Sequence, residues 1–230
     1  MASARAAVRL DGVARRFGEQ WVLRGVDLAV APGEVVAMTG RNGSGKTTLL
    51  RIIAALLRPS RGTAAVFGHD TIREPDAVRP HIGLLGHNTG LYDQLTAAEN
   101  LVFSLRMAGR PADHVAISDV LERVGLPHAA RQTVRGFSAG MRRRLGLARL
   151  LLRPPTVLLL DEPYASFDPD GIELVNGFGA QVAADGGAVL LATHDMARAL
   201  DIMTRHVHVE RGRLGEQYDR GAAPRMEVVT

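Results

Sequence analysis

A glycine-rich segment near the N-terminus constrains the fold of this chain more than any other feature. Residues Gly40-Arg-Asn-Gly-Ser-Gly-Lys-Thr47 fit the pattern G-x-x-x-x-G-K-[ST]. The apolar stretch Glu34–Thr39 before the segment is predicted as a strand, and Thr47–Leu57 after it has helical periodicity. Glycines in such a loop let backbone N–H groups point at phosphate oxygens, and the helix N-terminus adds partial positive charge. The segment therefore predicts a phosphate-binding loop in an α/β domain.

The lysine of this segment is unusual in the chain. Lys46 is the only lysine among 28 basic residues, and the other 27 are arginine. Lysine carries a compact ammonium and arginine a wide planar fork, so we interpret Lys46 as a cation that reaches the β- and γ-phosphates of a nucleotide. Thr47 would offer its hydroxyl to Mg²⁺. The predicted ATP contacts of the loop are Gly40, Arg41, Asn42, Gly43, Ser44, Gly45, Lys46, Thr47 and Thr48.

An acidic pair follows a second apolar run. Asp161 and Glu162 come directly after Val157–Leu160. In isolation, two acids at a strand end are most often solvated. Beside a phosphate loop, they predict that Asp161 holds Mg²⁺ through water and that Glu162 polarises an attacking water molecule.

The remaining pattern predicts one α/β domain over residues 1–230. Alternating segments at Val8–Val13 and Val22–Val30 indicate an N-terminal antiparallel sheet, and the continuous apolar runs Thr156–Leu160 and Ala188–Thr193 indicate parallel strands covered on both faces. Helical periodicity from about residue 88 to 150 predicts an inserted helical subdomain. Further strands are predicted at Thr63–Phe67, His81–Leu85 and Arg205–Glu210, and helices at Ala97–Ala108, Ala112–Val124, Met141–Leu152 and Gly171–Ala184. The polar residues 211–230 are predicted to form a short, loosely ordered tail.

Composition disfavours several classes of protein. The chain has no cysteine, so it has neither disulfides nor thiolate chemistry. Its longest apolar runs fall far short of the roughly 20 residues of a membrane span, and no signal segment is visible at the start. The net charge of +4 is small and scattered, so we expect no nucleic-acid partner.

Further motifs resemble those of the ABC ATPases, in the same order and over nearly the whole chain. Phe137-Ser-Ala-Gly-Met141 resembles the signature motif, Ser166-Phe-Asp168 the D-loop, and His194 the switch histidine at a strand end. Phe17 stands where the family places an aromatic ring that stacks on adenine, although a partly buried strand-end aromatic is the alternative. The resemblance implies a P-loop NTPase fold with a RecA-like core, an N-terminal antiparallel β subdomain and an inserted helical subdomain.

The resemblance also implies a mechanism and partners. In a homodimer, ATP would lie between the phosphate loop of one copy and the signature of the other, so Ser138, Ala139, Gly140 and Met141 would act in trans. A plain helix N-cap is the alternative for the serine. His194 would hold the γ-phosphate and orient Glu162, the catalytic base. The implied cofactors are ATP and Mg²⁺, and the implied partner is an integral membrane permease at the cytoplasmic face of the cell membrane.

One departure from the family is informative. The position where the family usually carries a Q-loop glutamine holds His87, whose neutral imidazole can accept one bond as glutamine does. A neutral spacer is the alternative. Together with the Ser-Ala-Gly signature and Asp161-Glu-Pro-Tyr, this histidine is similar to the ATP-binding subunit of the haem exporter of cytochrome c maturation, whereas Met141 fits that group less well. A drug or multidrug exporter ATPase is the nearest alternative.

Two other classes of ATPase are disfavoured. ABC ATPases of translation or DNA repair usually carry two cassettes or long insertions, and neither occurs here. A P-loop kinase or GTPase would not explain the signature, the D-loop aspartate and the switch histidine together.

Three further features allow a functional and a plain interpretation. Arg142-Arg-Arg144 could meet an anionic partner, but we interpret it as the solvated start of a helix. His206 and His208 share one strand face and could bind a metal ion, but with no third ligand we expect a plain strand. The stretch Asn88–Glu99 is predicted to dock the permease, although subdomain packing would look the same.

Overall fold

Two β-sheets and a group of helices make up the chain in a computed structural model that describes residues 6–86 and 89–219. The first sheet is antiparallel, with the strand order β2-β1-β4-β5. Val8 on β1 lies opposite Val30 on β2 and Val66 on β4, so β1 lies between these two strands. The bounds are β1 (Val8–Phe17), β2 (Gln20–Val30), β4 (Arg61–Val66) and β5 (His69–Asp70).

The second sheet has six strands in the order β10-β9-β3-β8-β7-β6. Every neighbouring pair is parallel except β9 and β10. All residues of β7 and β8 are buried, as the unbroken apolar runs predict for strands covered on both faces. The bounds are β3 (Val35–Thr39), β6 (Ile82–Leu85), β7 (Val157–Asp161), β8 (Ala188–Ala192), β9 (Arg205–Glu210) and β10 (Arg213–Asp219).

Two helices cover the faces of this sheet, and three others pack around a separate apolar cluster. Helix α1 (Lys46–Ile53) packs on the face that carries Val36 and Met38, and α6 (Pro169–Ala184) on the face that carries Val35 and Ala37. The third apolar cluster joins α3 (Ala97–Met107), α4 (His114–Arg123) and α5 (Ala139–Leu152). Helix α2 (Pro75–Val78) is one turn, and short 3₁₀ turns lie at Arg79–His81, Pro127–Ala129 and Val134–Gly136. This mixed architecture, with an antiparallel sheet and an inserted helical cluster, confirms the predicted fold class.

Helix boundaries differ from the predictions because capping residues set them. The predicted Gly171 start moves to Pro169, since the Asp168 carboxylate accepts from Gly171 N–H at 3.0 Å and caps α6. Similarly, α5 begins at Ala139 and not at Met141 because Ser138 caps it. Helix α1 ends four residues before the predicted Leu57, because Ala55 turns left-handed at φ 54°.

The tail predicted from residue 211 is wrong over its first part, which forms strand β10. Arg211 and Gly212 both have positive φ, 48° and 78°, and make the tight turn that returns the chain onto β9. Arg24 N–H donates to Gly212 O at 2.8 Å, so the turn also contacts the first sheet. The strand escaped prediction because its residues are polar and lack apolar alternation. Residues 220–230 lie outside the described part of the chain.

Candidate active site

The phosphate loop runs from the end of β3 into α1, as predicted. Gly40 and Gly45 have φ values of 147° and 113°, which favour glycine. A Cβ atom would lie 2.2 Å from Val209 O at Gly40 and 2.6 Å from Leu23 Cδ2 at Gly45. Glycine is therefore required at both positions, so that the loop can pass against β9 and β2.

Lys46 lies inside this loop and is only 6% exposed. Its Nζ donates to Gly40 O at 2.7 Å and to Arg41 O at 3.4 Å, so the ammonium is folded over the loop. The Ser44 hydroxyl is also buried and has no hydrogen-bond partner among the described residues. A buried cation and a buried, unpartnered hydroxyl in one loop fit a phosphate group, which would accept from both. Thr48 is half-buried on the first turn of α1, while Arg41, Asn42 and Gly43 are exposed.

Thr47 and Asp161 meet beside the loop. Thr47 Oγ1 donates to Asp161 Oδ1 at 3.0 Å, although the two residues are 114 positions apart. Asp161 is the last residue of β7 and is 5% exposed. Hydroxyl and carboxylate oxygens are the ligands that Mg²⁺ takes together with nucleotide phosphates. The pair therefore fits the predicted magnesium site.

Glu162 and His194 form a second pair one residue further along. Glu162 directly follows β7 and His194 comes two residues after β8. These strands are parallel neighbours, so their carboxyl ends lie together. Glu162 Oε2 is 2.7 Å from His194 Nδ1 and accepts from His194 N–H at 3.3 Å. An ionised carboxylate only accepts, so the tautomer with a proton on Nδ1 donates in this contact. The His194 side chain is 74% exposed. The pair can present an imidazole nitrogen and a carboxylate to the same ligand.

The signature turn, residues 138–141, forms the exposed N-terminus of α5. Ser138 Oγ accepts from Met141 N–H at 3.2 Å, so within the chain the serine is an N-cap. Ala139 is exposed, and a Cβ on Gly140 would lie 3.0 Å from Ser166 O, so the turn packs on the D-loop. Among the described residues, no hydrogen bond joins this turn to the phosphate loop. The structure does not bring these two predicted binding elements together within one copy.

Asp168 connects the D-loop to α6 and to α5. Its carboxylate caps α6 and accepts from Arg144 Nη2. The Gly171 N–H holds the pKa of the Asp168 carboxyl below its ordinary value, and the charge of Arg144 adds to that effect. The aspartate therefore stays ionised where the D-loop meets the signature helix.

The arginine run on α5 is not the solvated helix start that we predicted. Arg143 is 6% exposed and donates to main-chain carbonyls, Arg142 pairs with Asp93 at 2.5 Å, and Arg144 donates to Val124 O at 2.8 Å. The missed signal is helical periodicity: Arg143 lies four and seven residues before Leu147 and Leu150, which are both buried. All three guanidinium groups make hydrogen bonds or ion pairs with other residues of the same chain.

Phe17 ends β1 and is 46% exposed. The Arg15 guanidinium lies 4.5 Å from the ring centroid and covers one ring face. Adenine stacking at Phe17 stays a prediction.

A cleft of about 640 Å³ opens beside Thr47 and Asp161, between α1 and α5. Thr47 and Asp161 line it together with the arginines Arg51, Arg79, Arg149 and Arg153. Burial lowers the pKa of the Arg149 guanidinium.

His87, predicted as a catalytic residue, and Asn88 lie outside the described residues, so the prediction for this histidine stays open. Further along the predicted docking stretch, Tyr92 is 50% exposed and packs edge-on to Phe103.

His206 and His208 both contact the hydroxyl of Thr39. Thr39 Oγ1 lies 2.7 Å from His206 Nε2 and 3.1 Å from His208 Nδ1, directly before the phosphate loop. No group of three potential metal-ligating side chains occurs within residues 6–86 and 89–219.

Lowering the pH should destabilise the fold already at values where aspartate and glutamate side chains are still ionised. Burial lowers the pKa of His206, and His208 lowers it further; burial also lowers the pKa of His81. Both histidines favour the neutral form when folded, whereas the unfolded chain takes up protons near the ordinary value of 6.5. Stability is therefore retained above that value and falls as the pH drops below it. Thermal unfolding at about pH 7.5 and about pH 5.5 should give a lower Tm at the acid value, and His206→Gln should reduce the difference. An equal or higher Tm at the acid value would contradict this.

A family model described as ABC transporter matches residues 23–165, which include the phosphate loop, the signature turn and the acidic pair. The chain belongs to the ABC transporter family. Phe17, Asp168 and His194 lie outside the matched region.

Individual members of the ABC transporter family are similar over most of the chain. Daunorubicin resistance ATP-binding protein DrrA3 of Streptomyces coeruleorubidus is 41% identical over 90% of this chain, which spans 66% of that protein's length. Cytochrome c biogenesis ATP-binding export protein CcmA of Methylococcus capsulatus is 38% identical over 80% of this chain and 88% of its own length. A dimeric ATP-binding cassette, solved in a post-hydrolysis state with ADP and Pi, superimposes with a TM-score of 0.83 at 27% identity, over 92% of this chain and 98% of that one.

This ABC transporter ATP-binding domain contains, among the residues described, no helix that is long and apolar enough to cross a membrane.

Proposed function

We propose that this chain is the ATP-hydrolysing subunit of an ABC transporter and works as a homodimer on an integral membrane permease. The observation that carries the proposal is the Glu162–His194 contact of 2.7 Å, next to the Thr47–Asp161 pair and the phosphate loop. Lys46 binds phosphate, Glu162 accepts a proton from the attacking water, and His194 orients that carboxylate. Thr47 and Asp161 would hold Mg²⁺, which would neutralise part of the phosphate charge.

The signature turn supports the homodimer. Within the described part of one copy, its serine and its exposed helix N-terminus have no hydrogen bond to the phosphate loop. The N-terminus of a 14-residue helix favours an anion, and the γ-phosphate held by a second copy is such an anion. Each copy therefore supplies the phosphate loop of one ATP site and the signature turn of the other. Bound ATP stabilises the dimer until the ATP is hydrolysed.

The leading role that we infer is haem handling in cytochrome c biogenesis. Support comes from the resemblance in Leu84-Leu-Gly-His87, in the Ser-Ala-Gly signature and in Asp161-Glu-Pro-Tyr164. The cytochrome c biogenesis relative, at 38% identity, supports the same role. The second candidate is a drug exporter, which the daunorubicin-resistance relative favours at 41% identity. Identity alone does not separate these two candidates.

Affinity capture of the tagged protein from detergent-solubilised native membranes tests the role. We expect integral membrane proteins that handle haem, identified by mass spectrometry and by haem absorbance in the eluate. An unrelated permease without haem would discard the cytochrome c role and leave the ATPase assignment intact.

A variant of the predicted docking stretch refines the same experiment. Tyr92→Asp places a charge on an exposed aromatic and should reduce capture of the membrane partner while ATP binding is retained. Val115→Asp, at an apolar residue that is 71% exposed on α4, is the matched control. Equal capture by Tyr92→Asp and the wild type would place the docking surface elsewhere.

A further inference from the structure

Arg143 is a buried arginine whose contacts reach the catalytic strand end. It lies on α5, is 6% exposed, and donates from Nη2 to Asp161 O at 3.0 Å and to Glu162 O. Its Nε is buried without a hydrogen-bond partner among the described residues. Burial of a charged group is costly unless specific contacts offset it. The contacts that hold this guanidinium go to the main chain of the acidic pair.

The main chain at Glu162 is in a conformation that needs support. Its φ is 49°, in the left-handed region that residues with a Cβ adopt at a cost. Glu162 N–H donates to Ala192 O on β8 at 2.8 Å, and the Glu162 carbonyl accepts from Arg143. The peptide groups on both sides of this strained Cα are therefore fixed, one by the neighbouring strand and one by α5. This conformation directs the carboxylate to His194.

Electrostatics favour the same placement of the guanidinium. Burial lowers the pKa of Arg143, and the nearby charges of Asp161 and Glu162 oppose that effect. The two carboxylates therefore stabilise the cation that holds their own backbone.

Arg143 also lies close to the signature turn along α5. It follows the N-cap Ser138 by five residues, about 7.5 Å along the helix axis. A shift of the helix on engaging a ligand would move the guanidinium together with the turn.

We propose that Arg143 is a positioning residue that holds the Glu162 main chain for catalysis and couples the signature turn to that carboxylate. This inference rests on the proposed ATPase function. A single nitrogen of the guanidinium, Nη2, donates to two successive carbonyls, which an apolar side chain cannot do.

Steady-state hydrolysis and ATP affinity of Arg143→Met and Arg143→Lys test the proposal. We expect Arg143→Met to lower kcat about 10- to 100-fold, since a misplacement of about 1 Å can cost that much, with the Kd for ATP unchanged. Arg143→Lys should recover part of the rate, and it carries the test if the methionine variant does not fold. Arg142→Met is the matched control, because the neighbouring arginine on the same helix pairs with Asp93.

A double variant separates positioning from general damage. In single-turnover reactions, Arg143→Met should add no further loss to Glu162→Gln, because the group that it positions is already absent. Equal losses in both backgrounds, an unchanged kcat, or a loss matched by weaker ATP binding would overturn the inference. If Glu162→Gln keeps the wild-type rate, the proposed function fails and this inference fails with it; a loss in Glu162→Gln without a loss in Arg143→Met removes this inference alone.

Discussion

Glu162→Gln is expected to bind ATP, to hydrolyse it about 10²- to 10⁴-fold more slowly than the wild type, and to accumulate as an ATP-bound dimer. The amide keeps the shape of the side chain and a hydrogen-bond acceptor for His194 Nδ1. It lacks the basicity that takes a proton from water, so binding and dimerisation persist while the chemical step slows. Phosphate release measures the rate, and size-exclusion chromatography with light scattering measures the dimer in the presence of MgATP.

A matched control for this variant lies on α6. Glu173 is exposed, and Glu173→Gln should hydrolyse ATP at the wild-type rate. If Glu162→Gln also turns over at that rate, another group is the base and the assignment of this carboxylate is wrong.

Lys46→Ala should remove most nucleotide binding, with the Kd for ATP rising about 30-fold or more, since truncating a buried charged partner costs about 2–5 kcal/mol. The ammonium is 6% exposed and is already aimed into the loop through Gly40 O. Lys46→Arg should also bind poorly, because the wider guanidinium does not fit the place of the compact ammonium. Isothermal titration with MgATP measures each affinity.

Arg110→Ala, at an exposed residue outside the site, should bind ATP as tightly as the wild type. An unchanged ATP affinity in Lys46→Ala would remove the phosphate-loop assignment.

The sequence predicts those parts of the site that are local in the chain. The phosphate loop is a contiguous pattern between a strand and a helix, so its conformation at Gly40 and Gly45 follows from eight residues. The buried runs of β7 and β8 likewise follow from unbroken apolar stretches. These features depend on short-range chemistry that a linear pattern records.

Contacts between residues that are far apart in the sequence could be identified only from the folded structure. Glu162 and His194 are 32 residues apart, and they meet because β7 and β8 are parallel neighbours, an order that no local pattern specifies. Without strand order, only family resemblance could link these two residues. The burial of Arg143 was missed for another reason, since three successive arginines usually indicate solvent and only the helical period distinguishes the middle one.

The position of Lys46 has a practical consequence for chemical labelling. In a chain whose other basic side chains are all arginine, an amine-directed reagent meets one side-chain amine, and that amine is almost closed off from solvent by the loop around it. Modification at this position therefore reports on the opening of one loop, free of background from other lysines. A time course of acylation, followed on a single peptide, would read out how often the loop opens and how strongly a nucleotide slows that opening.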